Sequence, residues 1–299
     1  MQARADVTEM AERIQGSIKD RIPAVAQEFL RTQPLLIVAS SDSQGQVWAS
    51  VLWGTPGFVR AMDETTVFID AAPLPNDPLR TNLAANPAVG LLAIEFATRR
   101  RMRLNGRAQQ QADGALVVTA DQVYANCPKY IQTRQFQVRS DSAAQPPAQH
   151  RTDRLTNLQQ QWIRQTDTFF ITSAHPTYGA DASHRGGNPG FVHVVDERTL
   201  VWPDYAGNNM FNTLGNIAAH PQAGLLFIDF VADSTLQLTG QAAIIWDDDE
   251  VRQYKGAERL IRYQITQVIE TRQAVPLRWR FESYSPFNPP VDSKGYSDQ

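Results

Sequence analysis

The sequence predicts a mainly β protein with peripheral helices (an α+β chain), built as two tandem copies of one unit. Three observations predict it. Short apolar runs recur between Gly, Pro, Asn and Asp, as in a strand meander. The second half of the chain repeats the first. From Asp181 to Phe230, polar donors, an arginine and several glycines are packed between β-like runs, a mixture unlike a plain core.

The repeat is read directly. Ser50 to Asp63 aligns with Ser183 to Asp196 at an offset of 133, with seven of fourteen positions identical, including Pro56-Gly57-Phe58-Val59 against Pro189-Gly190-Phe191-Val192. Past one inserted residue the offset becomes 134. Asn82, Pro87, Gly90-Leu91-Leu92, Ile94, Phe96, Leu104, Gly106 and Ala108 then match Asn216, Pro221, Gly224-Leu225-Leu226, Ile228, Phe230, Leu238, Gly240 and Ala242. Collinear matches over this length predict duplicated structure. The expected division is a first repeat over 1–140 with N-terminal helices, a linker over 141–153, and a second repeat over 154–299.

Taken in order, residues 7–31 place Met10, Ile14, Ile18, Ile22, Val25, Phe29 and Leu30 at helical spacing, and Pro23 splits them into two short helices. Leu35–Ala39 reads as a buried strand. Runs at 47–52, 57–62 and 65–69 read as a meander. Asn76–Asn86 carries a helix that Pro87 stops, and 89–96 with 101–108 form a hairpin pair. Leu116–Gln132 is read as helical beyond its first residues, with a counterpart helix in the second copy. Residues 139–153, with Pro146-Pro147, form an exposed linker. Leu155–Ile163 is helical and 169–172 a strand. Asp247–Glu250 is an exposed loop and helix start, where acids suit the dipole.

Composition narrows the class. With 299 residues, 42% hydrophobic and 20% charged, the chain can bury a real core. A net charge of −3 gives no bulk field for nucleic acid or an acidic membrane surface. One cysteine excludes an internal disulfide and a cysteine-based zinc site. The five histidines lack metal-ligand spacing, and no Gly-x-Gly-x-x-Gly or serine nucleophile elbow is present. With no signal pattern at the N-terminus and no apolar run of membrane length, the expectation is a cytoplasmic protein without metal, membrane or nucleic-acid partners.

Three segments together carry a resemblance: Ser183-His184-Arg185-Gly186-Gly187-Asn188-Pro189-Gly190-Phe191-Val192, Asn212-Thr213-Leu214-Gly215-Asn216, and Asn126-Cys127-Pro128-Lys129-Tyr130-Ile131-Gln132. They resemble the flavin-nucleotide-binding split-barrel family related to pyridoxamine 5′-phosphate oxidase, over most of residues 30–290. The resemblance implies two split β-barrels and bound FMN. Single-barrel members dimerise and hold FMN between subunits, so a tandem chain can form that interface within itself as an internal pseudo-dimer; a further homodimer is left open. The fold hosts many activities, so the resemblance names no substrate or electron donor. A flavin-dependent oxidoreductase is the first reading. A non-catalytic flavin or haem carrier and a deazaflavin-dependent reductase stand beside it, and His184 is the histidine that a haem reading would use.

The two copies diverge where the ligand would sit. His184-Arg185-Gly186-Gly187 faces Val51-Leu52-Trp53-Gly54 in the alignment. Arg185 can grip a phosphate through paired N–H groups, Gly186 can admit a ligand to the backbone, and Trp53 would fill that space. The working pocket is therefore expected in the second copy, with Ser183 on the same run; the plain alternative makes Arg185 a solvated strand residue. Phe211, Asn212 and Thr213 open a helical turn. Asn212 and Thr213 either cap it or lie at its N–H groups beside the FMN phosphate, where the resemblance places it. The oxidase has basic residues there, a departure in this chain. The resemblance sets the turn Pro203-Asp204-Tyr205-Ala206-Gly207-Asn208 against the flavin ring and ribityl chain; otherwise it is an ordinary Gly/Asn turn. Lys129 and Tyr130 are expected to reach across the internal interface, Lys129 toward the phosphate charge and Tyr130 toward the ring. Cys127 is read as a small buried hydrophobe, and Arg99-Arg100-Arg101 as a solvated hairpin turn or, alternatively, a frame for an anionic substrate.

Overall fold

The computed structural model describes Gly16, residues 18–138 and residues 146–291. Two antiparallel sheets have the same strand order. In the first, β1 (Leu35–Ser41), β2 (Val47–Trp53), β3 (Val59–Ala61), β4 (Thr66–Ile69), β5 (Ala88–Glu95), β6 (Arg100–Gln110) and β7 (Leu116–Ala125) run β2-β1-β5-β6-β7-β4-β3. The second contains β10 (Thr168–His175), β11 (Gly179–Gly186), β12 (His193–Val194), β13 (Thr199–Tyr205), β14 (Gln222–Ile228), β15 (Thr235–Ile245) and β16 (Ala257–Arg272). They run β11-β10-β14-β15-β16-β13-β12. Replacing each first-copy strand by its repeat mate converts one order into the other. Even the register shift recurs, at Asn105/Gly106 and at Thr239/Gly240.

Why β1 is apolar at nearly every position follows from what its faces meet. Leu36 and Val38 enter the first barrel's core, while Leu35, Ile37 and Ala39 enter a third core shared by both copies. β10 does the same with Phe169 and Ile171 on one face and Phe170 on the other. The shared core also takes Ala49, Val51, Leu92 and Ile94 from the first copy, and Ala182, Leu226 and Ile228 from the second. Each large side chain so buried contributes about 1.5–3 kcal/mol. The copies approach so closely that two glycines are required. A Cβ on Gly90 would stand 2.6 Å from Asp181 Cα, and one on its mate Gly224 2.8 Å from Ala49 N. β8 (Thr133–Val138) and β17 (Leu277–Ser283) pair with each other, tying the end of one repeat to the end of the other.

The helices are short. α1 (Ala24–Arg31) follows Pro23; Ile18 lies outside it, and the stretch with Met10 and Ile14 falls outside the described residues. α2 (Pro78–Ala85) starts on Asp77, whose carboxylate accepts from Leu79 N, with Pro78 at the first helical position. α3 (Asn157–Gln165) is set by a capping box of Thr156 and Gln159. α4 (Asn212–Ala219) begins after Phe211, and α5 (Asp248–Val251) is a single turn. None of the helices is long and apolar enough to cross a membrane among the described residues.

Two sequence expectations are corrected. Leu116–Gln132 is not helical: β7 fills its first ten residues, because Leu116, Val118 and Ala120 alternate inward at period two against the barrel core. Its mate β16 is likewise a strand, sixteen residues long. Within the expected linker, Ala148–Thr152 is a strand, β9, added to β16. The bare β16 edge supplies the backbone partners that composition could not reveal.

Candidate functional site

A cleft opens where the second copy's barrel meets the end of the first. The first copy supplies Arg101 and Arg103 from β6, with Asn126, Cys127, Lys129 and Tyr130 from the segment after β7. The second copy supplies His184, Arg185 and Gly186 from β11, Pro203, Asp204 and Tyr205 from β13, the 207–211 turn, Asn212 and Thr213 from α4, and Glu258 and Arg259 from β16. Twelve of the thirteen residues singled out from sequence line it. Ser183 stands just behind, its Oγ accepting from Arg185 Nη1 at 2.6 Å and from Arg103 Nη2.

Alternation brings the charges together. On β6, Arg101 and Arg103 share a face, with Met102 and Leu104 turned into the core. Arg103 crosses the seam and donates Nη1 to both oxygens of Asp181, at 3.2 and 3.1 Å. Tyr124 Oη adds a 2.8 Å bond to Asp181 Oδ1, and Thr213 Oγ1 a 3.1 Å bond to Oδ2. Asn212 Nδ2 donates to Tyr124 Oη at 2.8 Å. Asp204 lies between two guanidinium groups, 3.8 Å from Arg185 Nε and 3.4 Å from Arg259 Nε. Burial pushes the Asp204 carboxyl above its usual pKa, against the pull of Arg185 and Arg259. Burial lowers Arg185, and burial together with Arg103 and Arg185 lowers Arg101 to about 9.

The cleft carries more positive than negative charge. Arg101, Arg103, Arg185, Arg259 and Lys129 face Asp181, Asp204 and Glu258, a surplus of two. Buried nitrogens without a hydrogen-bond partner cluster here: Nε of Arg101, Arg103, Arg185 and Arg259, Nη1 of Arg259, and Nε2 of His184. α4 adds more donors, since Phe211 at its start has φ 59° and gives no side-chain cap. So many buried donors without acceptors suit an anionic ligand.

Several sequence expectations change at this point. Asn212 and Thr213 do not cap α4; their side chains bond to Tyr124 and Asp181. Gly186 does not hold space open for a ligand at its Cβ position: that Cβ would stand 2.0 Å from the Tyr130 carbonyl oxygen, so the glycine admits the crossing segment instead. Gln132 anchors that segment, donating Nε2 to the carbonyls of Asp167 and Gly187 at 3.1 Å each and accepting Ser285 N at 2.7 Å. Tyr130 donates Oη to Ala206 O at 2.9 Å and packs 5.3 Å from Tyr205, centroid to centroid. Burial pushes the Tyr130 hydroxyl up to about 12. Arg101 is no solvated turn residue: its Nη1 lies 3.0 Å from His184 Nδ1. Arg99 donates Nε to Ile131 O at 2.9 Å. Cys127 is half-buried in the cleft wall. The sequence reading did not single out Arg103, Arg259, Tyr124 and Asp181, although Arg101 and Arg103, alternating with Met102 and Leu104, were a signal.

Comparison with known proteins agrees with the duplicated architecture. The sequence pattern of the pyridoxamine 5′-phosphate oxidase family matches twice, over residues 22–147 and 155–278. No curated protein matches the chain. Similar solved structures include a putative pyridoxamine 5′-phosphate oxidase from Lactobacillus delbrueckii, at 15% identity, covering 39% of this chain and 94% of that one, TM-score 0.34. An FAD binding protein from Mycobacterium smegmatis has 15% identity, with coverage of 40% and 96% and a TM-score of 0.28. HutZ, described as a haem storage protein from Vibrio cholerae, has 13% identity, with coverage of 36% and 88% and a TM-score of 0.26. On the double match of its sequence, this chain belongs to the pyridoxamine 5′-phosphate oxidase family.

Proposed function

We propose that the chain binds one FMN in the cleft of the second copy and acts as a flavin-dependent oxidoreductase. The observation that carries the reading is the set of buried guanidinium nitrogens that make no hydrogen bond, beside a helix start without a side-chain cap, with two positive charges in surplus. A phosphate monoester near −2 supplies the missing charge and acceptor oxygens. Arg185, the α4 N–H groups and Lys129 would hold the phosphate. The backbone and side chains of 203–208, with Tyr130, would hold the ribityl chain and ring. FMN, when bound, supplies electron transfer, by hydride or single electrons.

The chain's own residues bind, orient and shield. Asp181 fixes Arg103, Tyr124 and Thr213 against one another, so the donors are positioned before a ligand arrives. Tyr130 and Tyr205 are aromatic and half-buried, and both hydroxyls are held protonated by burial, so they can flank a flat ring without adding charge. One flavin is proposed rather than two, because in the first copy Asp77 already caps the helix start and Leu52 stands at the place of Arg185.

FMN titration followed by flavin fluorescence tests the reading. Arg185→Ala is expected to weaken FMN about tenfold or more, from the strength of a charge-assisted bond. Equal affinity in wild type and variant would overturn the assignment of Arg185. Bleaching of bound flavin by a nicotinamide donor would support the enzyme over a carrier.

A further inference from the structure

The geometry points to His184 as a tautomer-locked hydrogen-bond donor: it selects ligands that present an acceptor oxygen or nitrogen, and refuses ligands that need a metal-binding imidazole. Arg101 sets the tautomer. A guanidinium has N–H groups only and accepts no hydrogen bond. Its Nη1 lies 3.0 Å from His184 Nδ1, so that ring nitrogen must offer its lone pair. A neutral imidazole carries one N–H, which is thereby placed on Nε2. The doubly protonated ring would turn an N–H toward the Arg101 N–H.

The surroundings keep the ring neutral. His184 is 2% exposed. Burial first, then Arg101, Arg185, Arg134 and Arg103, hold its pKa well below the ordinary histidine value. Nε2 has no partner in the protein, and the residue lines the cleft. A buried N–H donor therefore awaits an acceptor from outside the chain.

This polarity is the reverse of a metal-ligating histidine. Such a ring gives its bare nitrogen to the metal and its N–H to a carboxylate or carbonyl behind it. Here the neighbour at Nδ1 is a cation that can only donate, so the bare nitrogen is already engaged by Arg101 and the N–H is left on Nε2. Arg101 is thus the positioning residue, and His184 the one that touches ligand. The identity of the acceptor as a flavin carbonyl or phosphate oxygen rests on the proposed function; the tautomer does not.

Long-range proton–nitrogen NMR on ligand-free, full-length protein labelled with 15N-histidine reads the tautomer directly, with His184→Gln assigning the signal among the five histidines. The expected result is a protonated Nε2 and a bare Nδ1 at neutral pH, with the lock lost in Arg101→Ala. A protonated Nδ1 on His184 in the wild type would overturn the inference. A hemin titration gives a second readout: identical absorption spectra for wild type and His184→Gln are expected, and an iron-ligation band that vanishes in His184→Gln would overturn it. In FMN titrations, His184→Leu is expected to lose about tenfold while His184→Gln, which keeps a donor, stays within about threefold; equal losses in both would also count against it. Because the tautomer is read without ligand, a wild type that binds no FMN would defeat the flavin proposal and leave this one standing.

Discussion

The cleft of the second copy and its mirror position in the first are built from the same strands, yet they solve the same electrostatic problem in opposite ways. In the first copy the helix start is closed by the protein itself. Asp77, at the position of Phe211, accepts from Leu79 N at 2.9 Å, from Ser50 Oγ at 2.6 Å and from Gln237 Nε2 at 3.2 Å. Gln237 is the repeat mate of Arg103 and reaches across the seam in the mirrored direction. Ser50, which donates there, is the mate of Ser183, which accepts from two arginines. Strand register extends the contrast. Val67 lies opposite Val118 as Leu200 lies opposite Tyr263. Counting along from those pairs, Leu52, Ala71 and Gly114 stand where the second copy has Arg185, Asp204 and Arg259. Trp53, at the place of Gly186, donates its indole N–H to Ala274 O at 2.8 Å. One position therefore has its own carboxylate at the helix start; the other has none there, and its arginines and lysine outnumber its carboxylates. Duplication supplied two equivalent frames, and a handful of side chains decided which one gathers the surplus of cations.

That contrast can be broken by experiment. The largest effect is expected from Arg103→Leu, which leaves Asp181 buried without its ion-pair partner. Such a loss costs about 3–5 kcal/mol, to be read by chemical denaturation, with part recovered in Arg103→Leu/Asp181→Asn. A cost below about 1 kcal/mol would mean the pair does not organise the seam. Next comes Phe211→Asp, which gives the second copy the self-capping carboxylate of the first. FMN affinity should fall about a hundredfold, or about 2.7 kcal/mol, while the fold is kept; undiminished binding would show that the α4 start is not where the anion goes.

A smaller effect concerns pH. His184 is neutral when folded, with its pKa depressed by burial and its arginine neighbours, but takes up a proton near pH 6.5 when unfolded. Unfolding is thus favoured as pH falls below that value, by at most about 1.4 kcal/mol per pH unit for one proton. His184→Gln should flatten the drop in melting temperature between pH 6.5 and 5.5, whereas Val51, its mate, offers no such term. Smallest is Asp77→Ala, expected to cost about 1 kcal/mol or somewhat more as a lost cap, with FMN affinity unchanged. A change in FMN binding there would mean that the two positions are coupled.

Much of this was readable from residues alone. Pro56-Gly57-Phe58-Val59 and its mate announced the duplication, and Leu35–Ala39 announced a strand buried on both faces. The exchange of Val51-Leu52-Trp53 for His184-Arg185-Gly186 pointed to the second copy as the one to watch. Gly186 was noticed for the right reason, close approach, but the approaching group is the Tyr130 backbone. Arg101, Arg103 and Arg259 were harder. An arginine on a strand ordinarily faces water; Arg101 and Arg103 lose it to the second copy packed against them, and Arg259 to Asp204, Phe211 and Trp246 of its own copy. The helix misread over 116–132 failed for a related reason: its apolar residues fit either period over a short span, and the neighbouring strands β4 and β6 settle it.

The sequence by itself determined that there are two copies, where most strands run, and that the copies differ at one end of β11, because local pattern and self-similarity are properties of the chain. Tertiary structure decided which charges face one another, which serine donates and which accepts, and which helix start is left open. Those depend on how side chains meet in a seam that excludes water, and Arg103 on Asp181, 78 residues apart in the chain, is the plainest instance.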